Sequence, residues 1–287
     1  VPLNDYVATV IGMIRDDIPF NSVLSADILY TANNSVDVEA YSQTDNKHFD
    51  ELEKDHVDLS TVLTRRSQGQ MNNITDTAGV LTTRASGEAF YTAGTNRRVT
   101  RYAFMNFLCK DFEDLHDVNV PDFRVRRDVE RAPGGDSRSF KNKCAGCHAG
   151  QDALGSAFAY FDFVDGGLVH TPGMVTNKIN ANVLYPDGFE VTNDGWLNLW
   201  SQGQNSKVGW RGNQSGNGAR SLGEMLTRTK EFSKCMVKRS YKLVCLNDSV
   251  KILGEAKVNE LATTFEDTYS YNMKKLLAKV STFCVGE

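Results

Sequence analysis

The sequence predicts a mainly α-helical chain with additional helices around one site, long loops and few short strands. Three observations predict it. Apolar residues recur at threes and fours in several separate stretches, the spacing of a helix face turned to a core. Period-two alternation, the mark of a half-buried strand, is scarce. Many of the glycines and asparagines gather between residues 166 and 218, where they interrupt elements.

Leu3 to Ile14 reads as an amphipathic helix, with Leu3, Tyr6, Val7, Val10, Ile11 and Ile14 on one face, and Asp16-Asp17-Ile18-Pro19 ends it. Ser22 to Thr31 carries Val23, Leu24, Ala26, Ile28 and Leu29 and is expected as a second short helix or turn. Residues 33–73 are mostly polar. They are expected as a long surface insertion with a short helix near His48 to Val57, a kind of insertion that is tolerated and often carries interactions. Ala78 to Thr83 is short and apolar, of either type. Arg97 to Phe112 returns to helix through Val99, Tyr102, Ala103, Met105, Phe107 and Leu108. Pro121 to Arg138 is charged and loop-like, broken at Pro133-Gly134-Gly135. Asp152 to Asp162 mixes small and aromatic residues and is expected as a helix. Residues 166–218 read as loops with short strands, and Trp196, Trp200 and Trp210 fall there. Two long helices are expected to close the chain, Leu222 to Leu246 and Val258 to Cys284. The organisation expected is a helical region over 1–120 carrying the insertion, and a second region over 121–287, together one compact unit.

The second region opens on Cys144-Ala145-Gly146-Cys147-His148. Two thiols three residues apart followed by a histidine is the spacing that attaches a c-type haem, the sulfurs bonding its vinyl groups and the imidazole its iron. On one helical turn such residues share a face, so all three reach one flat ligand. A CxxC pair also serves zinc or a redox dithiol. Zinc would call for a second ligand pair, and no other CxxC, HxxxH or CxxH occurs. A redox dithiol would call for a βαβ context that is not apparent around the motif. The cofactor expected is one covalent haem c, with Cys144 and Cys147 as its anchors and His148 as proximal iron ligand.

The chain has 287 residues, 40% hydrophobic and 24% charged, ordinary for a soluble globular protein. The net charge is -4 and there is no basic stripe, so no nucleic-acid partner is expected. No apolar run approaches the ~20 residues of a membrane helix. Val1 opens almost directly onto a helical pattern, so the chain reads as already processed or truncated. Six cysteines are present; two belong to the motif, leaving Cys109, Cys235, Cys245 and Cys284. Two disulfides would place the chain in an oxidising compartment, periplasmic or extracellular, as covalent haem attachment does in bacteria. Four cysteines allow three pairings, all open at this point.

Several stretches, in order, resemble the planctomycete-type cytochrome c-like proteins, secreted or periplasmic chains of three adjoining domains of unknown function carrying one CxxCH. Ile18 to Asp27 resembles that family's first block. Ala78 to Thr82 and Arg101 to Cys109 resemble its second, and Asn119-Val120-Pro121 a segment beyond it. Cys144 to Asp162 is similar to its haem block, except that Ala153 stands where the family usually has proline. Ser221 to Tyr241, with Glu231-Phe232-Ser233-Lys234-Cys235, resembles the third block. Residues 33–73 have no counterpart. The resemblance implies a cytochrome c-like haem core. It also implies the pairing Cys109–Cys235, and with it Cys245–Cys284, each contributing roughly 2–4 kcal/mol.

The ligand on the far side of the iron decides what such a haem does. Met174 is the first candidate, in the flexible Thr171-Pro172-Gly173-Met174 segment; His170, in the same loop, is the second, and Met225, near the start of a late helix, the third. Met105, Met236 and Met273 read as core filler. His48 and His56 read as solvent histidines. Arg97, Arg98, Arg101 and Arg211 are candidate partners for haem propionates, and the resemblance favours Arg101. The tryptophans would wall the haem or simply fill the core.

The function these observations point to is an extracytoplasmic monohaem c-type cytochrome that carries electrons to and from a redox partner protein. An alternative is a haem oxidoreductase or peroxidase with an open distal position. A third is a subunit of a haem-bearing assembly or filament formed by self-assembly, since 287 residues is a large chain for one haem.

Overall fold

The computed structural model describes residues 2–121, 123, 132–181, 188–246 and 253–284. Parts of the charged stretch 121–138 and of the glycine-rich stretch 166–218 lie outside the described residues. The fold is mainly helical, and the described residues include three small two-stranded antiparallel sheets.

Helix α1 (Asp5–Arg15) forms where its spacing predicts, but the residues it buries are Asp5, Ala8, Thr9, Gly12 and Met13, while Tyr6, Val7, Val10, Ile11 and Ile14 are half-buried. Asn4 caps it by accepting the Val7 N–H at 3.0 Å. Asp5 is buried, yet its carboxylate accepts the N–H groups of Arg84 and Ala85 at 2.6 and 3.0 Å. That ties α1 to a helix some eighty residues on. The next stretch, expected as a second short helix or turn from Ser22 to Thr31, turns at residues 23–25 and then departs from expectation: Leu29–Ala32 is a strand, β1. All four of its residues are buried, and it pairs in register with β2 (Leu63–Arg66). Tyr30 lies flat against α1 at Gly12, where a Cβ would come within 2.3 Å of the ring. The strand is fixed by a partner more than thirty residues away, which periodicity within the segment cannot show.

The polar insertion is correspondingly less of an excursion than expected. Helix α2 (Lys47–Lys54) turns His48, Phe49 and Leu52 into the core, and α3 (Leu59–Val62) leads into β2. His48 is only 4% exposed, a correction to its reading as a solvent histidine. Its Nε2 accepts the Ala32 N–H at 3.0 Å and its Nδ1 meets the Glu39 carbonyl at 2.6 Å. His56 is exposed, as expected.

Helices α4 (Gln68–Asn72) and α5 (Arg84–Phe90) follow, then α6 (Arg97–Ala103). The last of these widens into a π-helical turn over Phe104–Leu108 and ends where Cys109 turns left-handed. Helices α7 (Ser137–Lys143) and α8 (Ala145–Gly155) meet at Cys144. Beyond them come the β3 (Phe161–Val164) and β4 (Gly167–His170) hairpin, α9 (Asn177–Asn180), and the pair β5 (Gly195–Leu197) and β6 (Ser215–Asn217).

The two long closing helices are four: α10 (Gly218–Arg228), α11 (Lys230–Cys245), α12 (Glu255–Asp267) and α13 (Met273–Ser281). Thr229 is extended, and its hydroxyl accepts the Phe232 N–H at 3.1 Å, so a new N-terminus begins there. In the second case Ser270 and Tyr271 both adopt positive φ, and Asn272 caps α13 through the Lys275 N–H at 3.0 Å.

One hydrophobic core runs from Leu3 to Val280 and draws on both halves of the chain. Disulfides join Cys109 to Cys235 and Cys245 to Cys284, the pairing that the resemblance implied. Among the described residues no helix is long and apolar enough to cross a membrane.

Candidate functional site

Cys144 sits at the joint of α7 and α8, and the rest of the motif forms the first turn of α8. The N–H groups of Cys147 and His148 both point back to the Cys144 carbonyl, at 3.2 and 3.0 Å. This winds both thiols and the imidazole onto one face of the helix. The opposite face is bare of side chains where it meets the protein. A Cβ on Gly150 would come within 2.0 Å of the Trp200 indole, and one on Gly146 within 2.6 Å of the His116 ring. Two glycines therefore let α8 lie directly on those rings, while Cys147, half-buried, sets its Sγ 3.4 Å from the Phe112 carbonyl oxygen.

Four cysteines are paired, and the two of the motif are free thiols, each half-buried. Burial, then the nearby acids Glu113 and Asp111, push the Cys147 thiol up from its ordinary value, against the pull of Arg101. A thiol raised in this way is a poor nucleophile, although a CxxC dithiol needs a lowered thiol at only one of its two positions. Among the described residues no group of three or more His, Cys, Asp or Glu side chains is placed to hold a metal ion. A thioether anchor needs neither feature.

His148 is held from behind. Its Nδ1 lies 3.2 Å from Gln151 Nε2 and 3.5 Å from Asp152 Oδ2. The Asp152 side chain is fully buried and takes Arg97 Nε on its Oδ1 at 2.5 Å and Arg97 Nη2 on its Oδ2 at 3.3 Å. With Nδ1 committed to this chain of contacts, Nε2 is the nitrogen that would take iron. Two unpaired thiols and a histidine on one turn are the donor set that a covalently attached haem would use.

The remaining candidates fall in separate places. Arg101 is bidentate on Asp111, at 2.8 and 2.6 Å, beside Cys147. Arg97 is the arginine that braces the histidine, and Arg211 pairs with Glu266. His170 stacks on Phe161 with centroids 4.4 Å apart and meets Thr75 through its Nδ1. Burial lowers its pKa. Met174 is exposed on the turn after β4. Met225 is buried in α10, its sulfur 4.0 Å from Asn198 Nδ2. Met236 and Met273 are in the core, and Trp196 and Trp200 are buried there too. Trp196 donates to Ser221, and Trp210, packed at the core's edge, donates to the Asn205 carbonyl.

Three residues that sequence reasoning did not single out belong to the site: Gln151 and Asp152 behind the histidine, and His116 under Gly146. The first two carried a signal, being three and four residues after His148 and so on its face. His116 carried none.

No family model matches the chain, and no curated protein and no solved structure matches it either.

Proposed function

We propose that the chain is an extracytoplasmic monohaem c-type cytochrome that transfers electrons to a redox partner protein. The observation that carries this reading is the motif's state: Cys144 and Cys147 are free on one face of α8 while the other four cysteines are paired, and His148 is braced by Asp152 and Arg97. In this reading Cys144 and Cys147 hold the haem, His148 ligates its iron, and a cytochrome c-like core surrounds it. A haem held there supplies one-electron chemistry at its iron. The chain's own part is burial, orientation of the axial imidazole through Asp152, and a surface on which a partner docks. Two disulfides accord with a periplasmic or extracellular setting.

The test is a denaturing gel stained for haem. The wild-type chain, made with a haem-attachment system, is expected to give a stained band that the double substitution Cys144→Ala, Cys147→Ala abolishes. A stained band that persists in the double variant overturns the reading.

One observation favours the alternative of a haem oxidoreductase or peroxidase. A buried carboxylate behind the axial histidine strengthens the imidazole as a donor, which suits an iron open on its far side. Carbon monoxide separates the two readings. A reduced spectrum unchanged by the gas means a six-coordinate iron and an electron carrier. A shifted spectrum means an open site and a catalyst.

A further inference from the structure

Away from the CxxCH motif, the described residues form a large apolar cleft of about 650 Å³ between α1, α5, α6, α11 and α13. That volume lies in the range of small-molecule sites, which are mostly apolar with a few placed polar groups. Val7, Val10, Phe90 and Phe107 are among its walls, and Tyr102 and Leu243 expose apolar surface beside them.

Its polar groups are unusual. Ser86 and Ser240 line it, are 1% and 2% exposed, and their hydroxyls have no hydrogen-bond partner among the described residues. Buried hydroxyls left unpaired are uncommon and call for an explanation. Ser240 lies in the middle of α11 without bonding back to its own helix. The Tyr6 phenol is likewise without a hydrogen-bond partner among the described residues. Burial pushes its pKa up, and Arg239 draws it partly back.

Arg239 is the one charged residue lining the cleft. Among the described residues it pairs with no carboxylate. One terminal nitrogen donates to the Met105 carbonyl at 3.1 Å and to Asn106 Oδ1 at 3.3 Å. A guanidinium has five N–H donors, so donors remain for an anion. An apolar trough, an exposed cation at its rim that pairs with no carboxylate among the described residues, and the Tyr6 phenol together describe complementarity to a molecule with an apolar tail and an anionic, hydrogen-bond-accepting head.

We infer that this cleft binds a single-chain carboxylate amphiphile, with the carboxylate at Arg239 and Tyr6 and the chain along Val7, Val10, Phe90 and Phe107. The site is independent of the haem.

Calorimetric titration of the full chain with decanoate and with decyltrimethylammonium, a cation with the same tail, tests it. Decanoate is expected to bind one to one and saturably, and the cation more weakly by about tenfold or more, the worth of a charge-assisted hydrogen bond. Arg239→Gln is expected to weaken decanoate by a similar factor and to leave the cation's binding no weaker. Ala89→Phe, an exposed substitution that fills the cleft, is expected to abolish decanoate binding with the thermal unfolding curve unchanged. Absent saturation, equal binding of the two amphiphiles, or binding indifferent to both substitutions overturns the inference. So does self-association through this face, read as a dimer in sedimentation that Ala89→Glu separates into monomers.

Discussion

Asp152 stands one helical turn beyond His148, with its Oδ2 3.5 Å from the imidazole Nδ1. Its carboxylate is fully buried and balanced on the other side by Arg97, which comes from α6, fifty-five residues earlier. A histidine so held has a set ring plane before any ligand arrives. Gln151 Nε2 can only donate to Nδ1 and Asp152 can only accept from it, so it is the Asp152 contact that calls for a proton on Nδ1 and strengthens the other nitrogen as a donor.

Asp152→Asn removes the charge and keeps the shape. Haem attachment is expected to survive, because the thiols are untouched. The midpoint potential of the loaded protein is expected to rise, because a weaker imidazole donor stabilises the oxidised iron less. A redox titration beside wild type reads this, and an unchanged or lower potential refutes the bracing role. Asp152→Ala goes further and leaves Arg97 facing an empty buried position. It is expected to cost about 1–3 kcal/mol of stability in urea unfolding.

The seating of α8 makes a second prediction. Gly150→Ala drives a methyl into Trp200, which is fully buried and has nowhere to move. Overpacking of this kind costs about 1–3 kcal/mol. Gly146→Ala meets His116, a part-exposed ring that has room to swing aside, and is expected to cost less. Thermal melts of the two variants give the order; the reverse order would mean that α8 is not seated on Trp200.

The motif was legible because its chemistry is local: two thiols, a histidine and the pitch of one helical turn. Helix α1 was legible as a helix for the same reason, since its apolar period lies within the segment, although the residues it buries are Asp5, Ala8, Thr9, Gly12 and Met13. What was not legible depends on partners far along the chain. Leu29–Ala32 is a strand because Leu63–Arg66 lies beside it. His48 is buried because the backbone of Ala32 and Glu39 supplies its hydrogen bonds, although its sequence neighbours are polar. The break at Thr229 was hidden by an apolar period that continues across it, and a threonine inside such a period reads as helix until its cap is seen. Asp152 lay in plain view four residues from His148. Its significance comes from Arg97, which no spacing near the motif reveals.

Thiol counting tests the cysteine assignment. On the unfolded, unreduced chain, two free thiols are expected without haem and none once haem is attached, since Cys144 and Cys147 are then thioethers. Four or more free thiols would reject the disulfides. Opening Cys109–Cys235, which closes a separation of 126 residues, is expected to cost about 4–5 kcal/mol. Opening Cys245–Cys284, which closes 39, is expected to cost less, about 3–4 kcal/mol. Urea midpoints of the paired serine variants compare them.

His170 gives the chain a titratable contribution to stability whose sign follows from its setting. Its ring is stacked on Phe161 and lies against Thr75, and burial lowers its pKa in the folded chain despite the attraction of Asp76 and Asp194. The unfolded chain therefore takes up the proton more readily than the folded one. Where the unfolded state binds more protons, stability rises with pH. The contribution is fully present above the ordinary histidine value of about 6.5 and is lost as the pH falls through the lower, folded value. His170→Gln keeps a polar side chain and removes the titration. It is expected to flatten the wild-type decline in stability just below that pH, with the two curves parallel above it. Urea midpoints across the range decide the matter. Equal slopes would show that the ring is as easily protonated in the fold as in water, and that its stacking on Phe161 does not shield it.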